Sequence, residues 1–304
     1  MPKSQEHVSV VIPTYRREQV LLDTIVSVQE LSPPPAEVLV VDQTPDHDES
    51  SIVALSRWEQ KGQIRWIHAD SPSIPHAMNV GLTEARQEVV LFLDDDIIPD
   101  VHLIGAHAAA HRRERCAVVA GQVLQPGEAP LSPGDDAGSF RFCSSRRVWV
   151  SEFMGGNFSV NRKFAIQAGG FDENFVKAGY RFEADFADRV LAAGGRILFE
   201  PAACIKHLKV HSGGTRAFGL HLTTISPAHA VGAHYYALRN KSVPSCLSAI
   251  LQRCFRAVRT KHHLRRPWWI PVTLIAELLG LCWAGILYLR GARLLEPEIR
   301  SLDK

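Results

Sequence analysis

The 304-residue sequence has no excess of positive charge, the feature that marks many nucleic-acid-binding proteins. Its 34 Lys and Arg residues nearly balance 32 Asp and Glu residues, and the net charge is +2, so no basic field surrounds the whole chain. The sequence also lacks the low apolar content of disordered chains, since 46% of its residues are hydrophobic. We therefore expect a folded protein of about two domains by length, with no nucleic acid as partner.

Paired cysteines and an export signal are also missing. The six cysteines are scattered, without a Cys-x-x-Cys pair and without the Cys/His spacing of a zinc finger. No apolar stretch of about 7–15 residues with a small-residue cleavage site precedes the first strand-like run. Both absences favour a reduced cytoplasmic location over secretion.

Glycine is missing where two common nucleotide-binding sites need it. No glycine occurs between Val8 and Leu31, although a Rossmann dinucleotide site requires glycines in its first strand-to-helix turn. The Gly-x-x-x-x-Gly-Lys-[Ser/Thr] phosphate loop does not occur anywhere. The sequence therefore disfavours an NAD-dependent enzyme and a P-loop protein.

Three short apolar runs, residues 8–12, 38–41 and 89–93, predict strands. They are rich in β-branched residues and do not alternate with polar ones, as is typical of parallel strands buried on both faces. Helix-like stretches at residues 18–31, 52–61 and 76–86 lie around and between them. This order predicts a doubly wound α/β fold with its ligand site at the carboxyl ends of the strands.

Further elements follow in the second part of the chain. The patterns predict a helix at 102–115, a strand at 117–123, a loop at 126–138, a helix at 183–193, a strand at 197–199 and a helical region from residue 226.

Polar and acidic residues stand at the ends of the predicted strands: Thr14 after the first, Asp42 after the second, and Asp94, Asp95 and Asp96 after the third. Adjacent carboxylates in a buried position raise one another's pKa and lose hydration unless a cation compensates them. Mg²⁺ or Mn²⁺, held by carboxylates and substrate phosphates, is the natural compensation. A solvated acidic turn that caps the next helix is the alternative. The position beside Asp42 and Thr14 favours a metal site.

Six motifs follow one another between residues 8 and 210. They are Val10-Val11-Ile12-Pro13-Thr14-Tyr15, Val40-Val41-Asp42, Leu93-Asp94-Asp95-Asp96, Gly155-Gly156-Asn157, Gly169-Gly170-Phe171-Asp172-Glu173 and Glu183-Ala184-Asp185-Phe186-Ala187-Asp188-Arg189. Their order and spacing resemble those of family 2 glycosyltransferases with the GT-A fold. The resemblance implies a mixed, doubly wound sheet with helices on both faces in a catalytic domain at 1–225. Its nucleotide-binding half would be 1–100 and its acceptor-binding half 101–225, followed by a C-terminal helical region at 226–304.

The resemblance also implies roles for individual residues. The nucleotide-sugar would contact Pro13, Thr14, Tyr15, Asp42, Asn79, Asp94 and Asp95. Asp94 and Asp96 would form the metal-binding Asp-x-Asp pair. Gly155, Gly156 and Asn157 would lie under the donor sugar and the acceptor, where missing side chains let a substrate approach the backbone.

A histidine and a glycine-containing segment follow the last predicted strand. His207 is a plausible third metal ligand, and Lys209 or Arg216 would cover the diphosphate from a lid hinged at Gly213 and Gly214. A surface loop with incidental charges is the alternative. His107 and His111, four residues apart, lack the acid of a His-Glu-x-x-His zinc site, so we expect a structural role for them.

The general base is expected in the last motif. The family pattern Glu-Asp-x-Asp-Leu-x-x-Arg, counted back from Arg189, puts the base at Glu183 and a second acid at Asp185. This sequence has Glu in place of Asp at the base, which leaves both acids as candidates; we favour Glu183. Two helical residues two positions apart do not share a face, so we expect one acid to cap the helix and the other to point into the cleft.

The stretch from Trp268 to Leu289 is mostly apolar and about long enough to cross a bilayer. Basic residues precede it, which suggests contact with anionic lipid, whereas Glu277 opposes insertion. A transmembrane helix, a helix lying on the membrane and a helix packed on the catalytic domain or on a second copy all remain open.

Together these features predict an inverting glycosyltransferase that uses Mn²⁺ or Mg²⁺ and a UDP- or dTDP-sugar. Its acceptor would be a saccharide or lipid-linked saccharide of a bacterial surface glycan, reached at the cytoplasmic face of the inner membrane. A sugar-phosphate nucleotidylyltransferase and a non-catalytic glycan- or partner-binding scaffold of the same fold are the alternatives.

Overall fold

The computed structural model describes residues 6–132, 140–219 and 222–296. Nine strands in these ranges form one sheet: β1 Val8–Thr14, β2 Glu37–Asp42, β3 Arg65–His68, β4 Val89–Leu93, β5 Ile97–Pro99, β6 Val118–Leu124, β7 Val148–Val150, β8 Asn157–Asn161 and β9 Ile197–His207. The order across the sheet is β3-β2-β1-β4-β8-β6-β9-β5, and β7 also pairs with β9. Strands β3, β2, β1 and β4 run parallel, whereas β8 is antiparallel to both β4 and β6. The sheet is therefore mixed, as predicted.

Ten α-helices accompany the sheet in the described ranges. They are α1 Gln19–Gln29, α2 Glu49–Gln60, α3 Ile74–Glu84, α4 Leu103–Glu114, α5 Arg162–Gln167, α6 Phe182–Ala192, α7 Val231–Asn240, α8 Val243–Val258, α9 Lys261–Arg265 and α10 Trp269–Arg290. Short 3₁₀ helices occur at Gly214–Phe218 and Pro227–His229. Most of these helices match the predicted stretches, and the last four confirm the helical C-terminal region.

The central strands are buried on both faces, as their uninterrupted apolar runs predict. Val11 and Leu39 belong to one hydrophobic cluster, and their chain neighbours Val10 and Val40 belong to another on the opposite face. Because side chains alternate across a strand, the two clusters cover opposite sides of the sheet. This arrangement carries the carboxyl ends of β1, β2 and β4 to one edge.

Four strands, β3, β5, β7 and β8, were not predicted, and one predicted segment is only partly described. In β8 the two apolar residues, Phe158 and Val160, alternate with Asn and Ser. β3, β5 and β7 contain three or four residues each and include charged or exposed side chains, so no apolar run marks them. The predicted loop at 126–138 lies outside the described residues from 133 onward, and the chain ends 1–5 and 297–304 also lie outside them.

The C-terminal helices pack directly on the catalytic part of the chain. Val231 and Tyr235 of α7 and Leu287 of α10 lie in the same hydrophobic cluster as Phe171. After α10 the chain returns to the sheet-bearing part, where the Leu295 backbone N–H donates to the Gly169 carbonyl at 2.8 Å. The two regions thus share one core.

Helix α10 is the one helix in the described residues that is long and apolar enough to cross a bilayer. One of its faces is buried and carries Glu277, which pairs with His234 of α7 and Arg253 of α8 at 2.8 Å each. Its other face exposes mostly apolar residues, among them Leu274, Ile275, Leu278, Leu279, Ile286 and Leu289, with Arg290 at its C-terminal end.

Helix α8 exposes its apolar face and turns its charged face toward the protein, the reverse of an ordinary surface helix. Val243, Leu247, Leu251 and Phe255, each four residues from the next, share one face and are 57–77% exposed. Arg253 and Arg256 point the other way, toward α7. In water an amphipathic helix normally buries its apolar face, so this apolar face is the natural contact surface for something other than water.

Candidate active site

The three aspartates after β4 point in different directions. Asp95 is buried, and its carboxylate accepts hydrogen bonds from Thr14 Oγ1 at 2.7 Å and from Arg17 Nε at 3.2 Å. Burial raises the pKa of Asp95 to about 7, against the opposing effects of Arg17 and Thr14. Asp95 therefore joins β4 to the end of β1 and contributes negative charge beneath the site.

Asp94, Asp96 and His207 form an open cluster, with one potential ligand atom from each within 4.8 Å of the others. His207 Nε2 lies 3.0 Å from an oxygen of Asp96 and 3.6 Å from an oxygen of Asp94. The other ring nitrogen of His207 lies 3.3 Å from Gln125 Oε1, which fixes the ring orientation. The structure thus brings the three predicted metal ligands together.

The side chains of this cluster shift one another's pKa. Burial would raise the pKa of Asp96, but the hydrogen bond and charge of His207, with Arg17, lower it below its usual value. Burial would lower the pKa of His207, but Asp96 and Asp94 raise it. Desolvation raises the pKa of Asp94, and the charge of Asp96 adds to this effect.

The donor set fits a hard divalent cation. Asp94, Asp95 and Asp96 supply three carboxylates, whereas Arg17, at 3.2 Å from Asp95 and 3.4 Å from Asp96, supplies one fixed positive charge. A divalent ion would offset the carboxylate charge that Arg17 does not balance. Two carboxylates and an imidazole nitrogen are ligands that Mn²⁺ accepts, and they leave room for substrate phosphates.

Gly155 and Gly156 lie where no side chain would fit. A Cβ on Gly156 would stand 2.3 Å from Asp94 Oδ2, and a Cβ on Gly155 would stand 2.9 Å from Glu183 Oε1. A Cβ atom essentially never lies this close to a non-bonded atom, so a larger residue would displace the carboxylate that it meets. The absence of side chains at the Gly-Gly pair therefore lets Asp94 and Glu183 lie against the backbone of neighbouring residues.

Glu183 lies in the first turn of α6 and lines a pocket of about 420 Å³ with Asp94, Gly155 and Gly156. Burial raises the pKa of Glu183 to about 7, and the charge of Asp94 contributes, whereas Arg181 opposes the shift. A carboxylate with such a pKa can accept a proton near neutral pH. The geometry gives Glu183 the position expected of a general base.

Asp185 has a different environment. Its carboxylate is fully buried and accepts hydrogen bonds from Arg189 Nε at 2.9 Å, Arg239 Nε at 2.9 Å and Asn240 Nδ2 at 3.0 Å. These contacts join α6 to α7 and leave Asp185 outside the pocket. Neither acid caps the helix, because the N-cap is Arg181 and no side chain caps it. The expectation of an acidic cap was therefore wrong.

Three other residues expected to contact substrate have side chains that point elsewhere. Asp42 is buried against Thr44, His47 and Trp66, with Trp66 Nε1 donating to it at 2.8 Å. Asn79 bonds both backbone groups of Phe171 at 2.8 Å, and so holds the loop after α5. The strand and helix positions of Asp42 and Asn79 are as predicted, but their side chains do not face the cleft.

Asn157 needs the same correction, since it is completely buried. Its Nδ2 donates to the carbonyls of Gln122 and Ala203, and its Oδ1 lies 3.0 Å from His107 Nε2. Burial lowers the pKa of His107 to about 3 and that of His111 to about 4. Both histidines are therefore neutral structural residues that hold β8, as their sequence context suggested.

The acid cleft, which we define as the cleft above Asp94, Asp95 and Asp96, is closed by residues from several elements. Its wall includes the predicted Pro13, Thr14 and Tyr15, and also Arg17, Gln43, Lys177, Arg216 and Phe218. The Tyr15 and Phe218 rings stack at 6.5 Å between centroids. Arg17, Lys177 and Phe218 were missed, because no local pattern links them to the acidic motif. Arg216 was a predicted lid residue and does line the cleft.

The acid cleft and the Glu183 pocket meet at Asp94, which lines both, together with Ile74, Met78 and Thr215. Glycines with left-handed backbone at Gly213 and Gly219 flank the short helix that carries Thr215. The site is thus a continuous groove, with a cation-compatible cluster at one end and a carboxylate of raised pKa at the other.

A sequence model described as glycosyl transferase family 2 matches residues 9–184, more than half of the chain. The chain belongs to this family. The match runs from β1 to the first turn of α6 and so contains Asp94, Asp95 and Asp96, the Gly-Gly pair and Glu183, whereas His207 lies beyond it. The predicted family is confirmed, and with it the prediction of a glycosyltransferase enzyme.

A curated relative is GalNAc(5)-diNAcBac-PP-undecaprenol beta-1,3-glucosyltransferase of Campylobacter jejuni, 29% identical over 181 residues. The match covers 58% of this chain and 56% of the relative, so the chain spans little more than half of that protein's length.

Two solved structures resemble the fold. The mannosyltransferase PcManGT from Pyrobaculum calidifontis, in complex with GDP-Man and Mn²⁺, is 18% identical with a TM-score of 0.57, and the match covers 95% of this chain and 88% of that one. GalNAc-T7 with UDP, GalNAc and Mn²⁺ is 17% identical with a TM-score of 0.55, covering 67% of this chain and 44% of that one. The predicted GT-A fold is thereby confirmed.

Proposed function

We propose that this chain is an inverting, metal-dependent glycosyltransferase that moves a sugar from a UDP- or dTDP-sugar to a lipid-linked saccharide in bacterial surface glycan synthesis. The observation that carries the proposal is a single groove that holds both Glu183 and the cluster of Asp94, Asp96 and His207. Gly155 and Gly156 lie against Glu183 and Asp94 in this groove. The family membership favours a transferase over the nucleotidylyltransferase and scaffold alternatives.

In this proposal Glu183 activates the acceptor. An acceptor hydroxyl in its pocket would give its proton to the Glu183 carboxylate as the oxygen attacks the anomeric carbon. The raised pKa suits this role, because the base must be ionised before the attack and must hold the proton afterwards. Attack from the face opposite the leaving diphosphate gives inversion in one displacement.

In this proposal the acid cleft binds the nucleotide-sugar donor. Asp94, Asp96 and His207 would hold a divalent cation, Mn²⁺ or Mg²⁺, which offsets the charge that grows on the departing diphosphate. Lys177 and Arg216 also line this cleft and would contact the same phosphates. Mn²⁺ accompanies the nucleotide ligands of both structural neighbours, which supports this assignment.

The C-terminal surface supports a membrane-bound acceptor. The apolar face of α8, with Val243, Leu247, Leu251 and Phe255, points outward rather than into the protein. Exposed cations stand between α8 and the outer apolar face of α10: Arg259, Lys261, Arg265 and Arg266. An anionic bilayer would cover the apolar face and pair with these cations. The curated relative is named for a lipid-linked substrate.

We propose that α10 lies along the protein with its outer face on the cytoplasmic side of the inner membrane. Its buried face carries Glu277 in ion pairs, and the chain that follows packs on Gly169. A helix that crossed the bilayer would place Glu277 inside the hydrocarbon, about 20 Å along the helix axis from the chain that packs on Gly169. Of the three open arrangements, a helix lying on the membrane accounts for both the buried charge and the exposed leucines.

A thermal-shift titration with UDP, dTDP, GDP and CMP, each with and without Mn²⁺, tests the donor assignment. Ligands that bind only the folded protein raise its melting temperature by mass action. We expect Mn²⁺-dependent stabilisation by UDP or dTDP in the wild type, and its loss in Asp96→Ala. Stabilisation by GDP or CMP alone would overturn the donor class, and no stabilisation by any nucleotide would overturn the transferase proposal.

A further inference from the structure

A second cavity, of about 600 Å³, lies between α7, α8 and the segment before α6. We call it the cationic cavity. Tyr180, Arg181 and His229 line both this cavity and the Glu183 pocket. The two spaces therefore adjoin at Arg181.

The cationic cavity carries unbalanced positive charge. Four cationic side chains line it, Arg181, Lys241, Arg253 and Arg256, against one carboxylate, Glu277. Glu277 is already paired with Arg253 at 2.8 Å and with His234. Among the described residues, no carboxylate forms an ion pair with Arg181, Lys241 or Arg256.

Two tyrosine rings lie against three of these cations, Arg181, Lys241 and Arg253. Arg181 lies 5.6 Å and Lys241 5.7 Å from the centroid of the Tyr236 ring. Arg181 and Arg253 lie 5.9 Å and 5.5 Å from the Tyr180 ring. The Tyr236 hydroxyl is itself engaged, donating to Asp188 at 2.7 Å, which fixes the ring. Like charges gathered around shared rings repel one another, and a polyanion bound between them would relieve the repulsion.

The backbone also favours a built site at this point. Arg181 has φ of +78°, in the left-handed region that non-glycine residues seldom occupy. Strain of this kind persists where the surrounding structure imposes it, and it is common at binding sites. It directs Arg181 to the boundary between the two cavities, two residues before Glu183.

We infer that the cationic cavity binds the diphosphate of a lipid-linked acceptor, with Arg181, Lys241 and Arg256 as its ligands. This inference rests on the proposed function and adds the subsite that recognises the acceptor. The donor diphosphate belongs in the acid cleft, on the other side of Glu183. The outward apolar face of α8 would lie in the bilayer, and its inward face, with Arg256, would meet the phosphates at the membrane surface.

Binding of farnesyl diphosphate to the full chain in detergent tests this inference. The titration is run in EDTA, so that no cation recruits phosphate to the acid cleft. We expect the wild type to bind farnesyl diphosphate and to bind farnesol at least about tenfold more weakly, because the diphosphate supplies the charge-assisted contacts. Equal affinity for farnesol and farnesyl diphosphate would overturn the inference.

The variants Lys241→Gln and Arg256→Gln, alone and together, locate the site. Both side chains are exposed and outside the core, so folding is expected to survive. The double variant should bind farnesyl diphosphate at least about tenfold more weakly, whereas Arg57→Gln on the distant helix α2 should match the wild type. Unchanged binding by the double variant would overturn the inference.

Two further measurements separate this subsite from other phosphate contacts. The fraction of protein that sediments with phosphatidylglycerol-containing vesicles should agree within about twofold between the double variant and the wild type. If the double variant instead lost vesicle binding and kept its affinity for farnesyl diphosphate, the cations would bind phospholipid headgroups, and the inference would be overturned. Stabilisation by nucleotide with Mn²⁺ should also be unchanged. Its absence in the wild type would overturn the proposed function, while the farnesyl diphosphate result would still stand as evidence on the cavity.

Discussion

Glu183 and Asp185 lie two residues apart on α6, yet the first lines the groove and the second is fully buried between Arg189 and Arg239. The two positions differ by about 200° around a helix, so they cannot share an environment. This difference supports our proposal that Glu183, and not Asp185, is the general base.

Asp185→Asn should destabilise the protein. The change leaves Arg239 and Arg189 without their common carboxylate, and breaking a buried ion pair from one side costs about 3–5 kcal/mol. Urea denaturation of the two proteins measures the difference in the free energy of unfolding. Glu183→Gln, two residues away, is the matched control and should show no such loss. Equal stability of Asp185→Asn and wild type would contradict the structural role of Asp185.

The rate of donor turnover should depend on the ionisation of Glu183. Burial raises the pKa of Glu183 to about 7, so the carboxylate is protonated and inactive below this pH and ionised above it. We expect the single-turnover rate to rise tenfold per pH unit below about pH 6 and to level off above about pH 8. A rate that is constant from pH 5 to pH 8 would refute this dependence.

Gly156→Ala should weaken metal-dependent donor binding. The added methyl group would stand 2.3 Å from Asp94 Oδ2, so Asp94 must move away from Asp96 and His207. We expect the Mn²⁺-dependent thermal shift with the preferred nucleotide to fall sharply. Gly285→Ala is the control, because a Cβ there would meet nothing within 4 Å and the position lies inside helix α10. A full shift in Gly156→Ala would show that the contact is unimportant.

The apolar face of α8 should be needed for membrane binding. Leu251→Glu with Phe255→Glu places two negative charges on that face, and we expect sedimentation with anionic vesicles to fall at least about tenfold. Ile52→Glu with Val53→Glu on α2 is the matched control, since both of these residues are also exposed apolar side chains. Equal losses in the two double variants would argue against a specific membrane face.

The sequence predicts where the site residues lie in the fold better than it predicts where their side chains point. The runs that form β1, β2 and β4 mark buried parallel strands, and the motifs at their ends mark the edge where the site lies. Asp42, Asn79 and Asn157 were expected in the cleft because of these positions, but their side chains satisfy buried partners instead. Side-chain direction depends on neighbours that are distant in sequence.

Long-range contacts also explain the residues that no motif revealed. Arg17 reaches Asp95 and Asp96 across 78 and 79 positions of the chain, and the cations of the cationic cavity come from three separate elements. The Gly-Gly pair, in contrast, could be identified from the sequence, because only glycine allows the close approach of backbone to a carboxylate. The reversed polarity of α8 became visible only when its contacts with α7 were known.

Glu183→Gln gives the most direct test of the central claim, that Glu183 is the general base. The measurement is the single-turnover release of nucleoside diphosphate at pH 8, with Mn²⁺, the preferred nucleotide-sugar, and water or saccharide as acceptor. We predict a rate lower by about 10²–10⁴-fold, with an unchanged thermal shift by donor and a melting temperature at or above that of the wild type, because the change removes a buried charge. A rate within about threefold of the wild type would contradict the account.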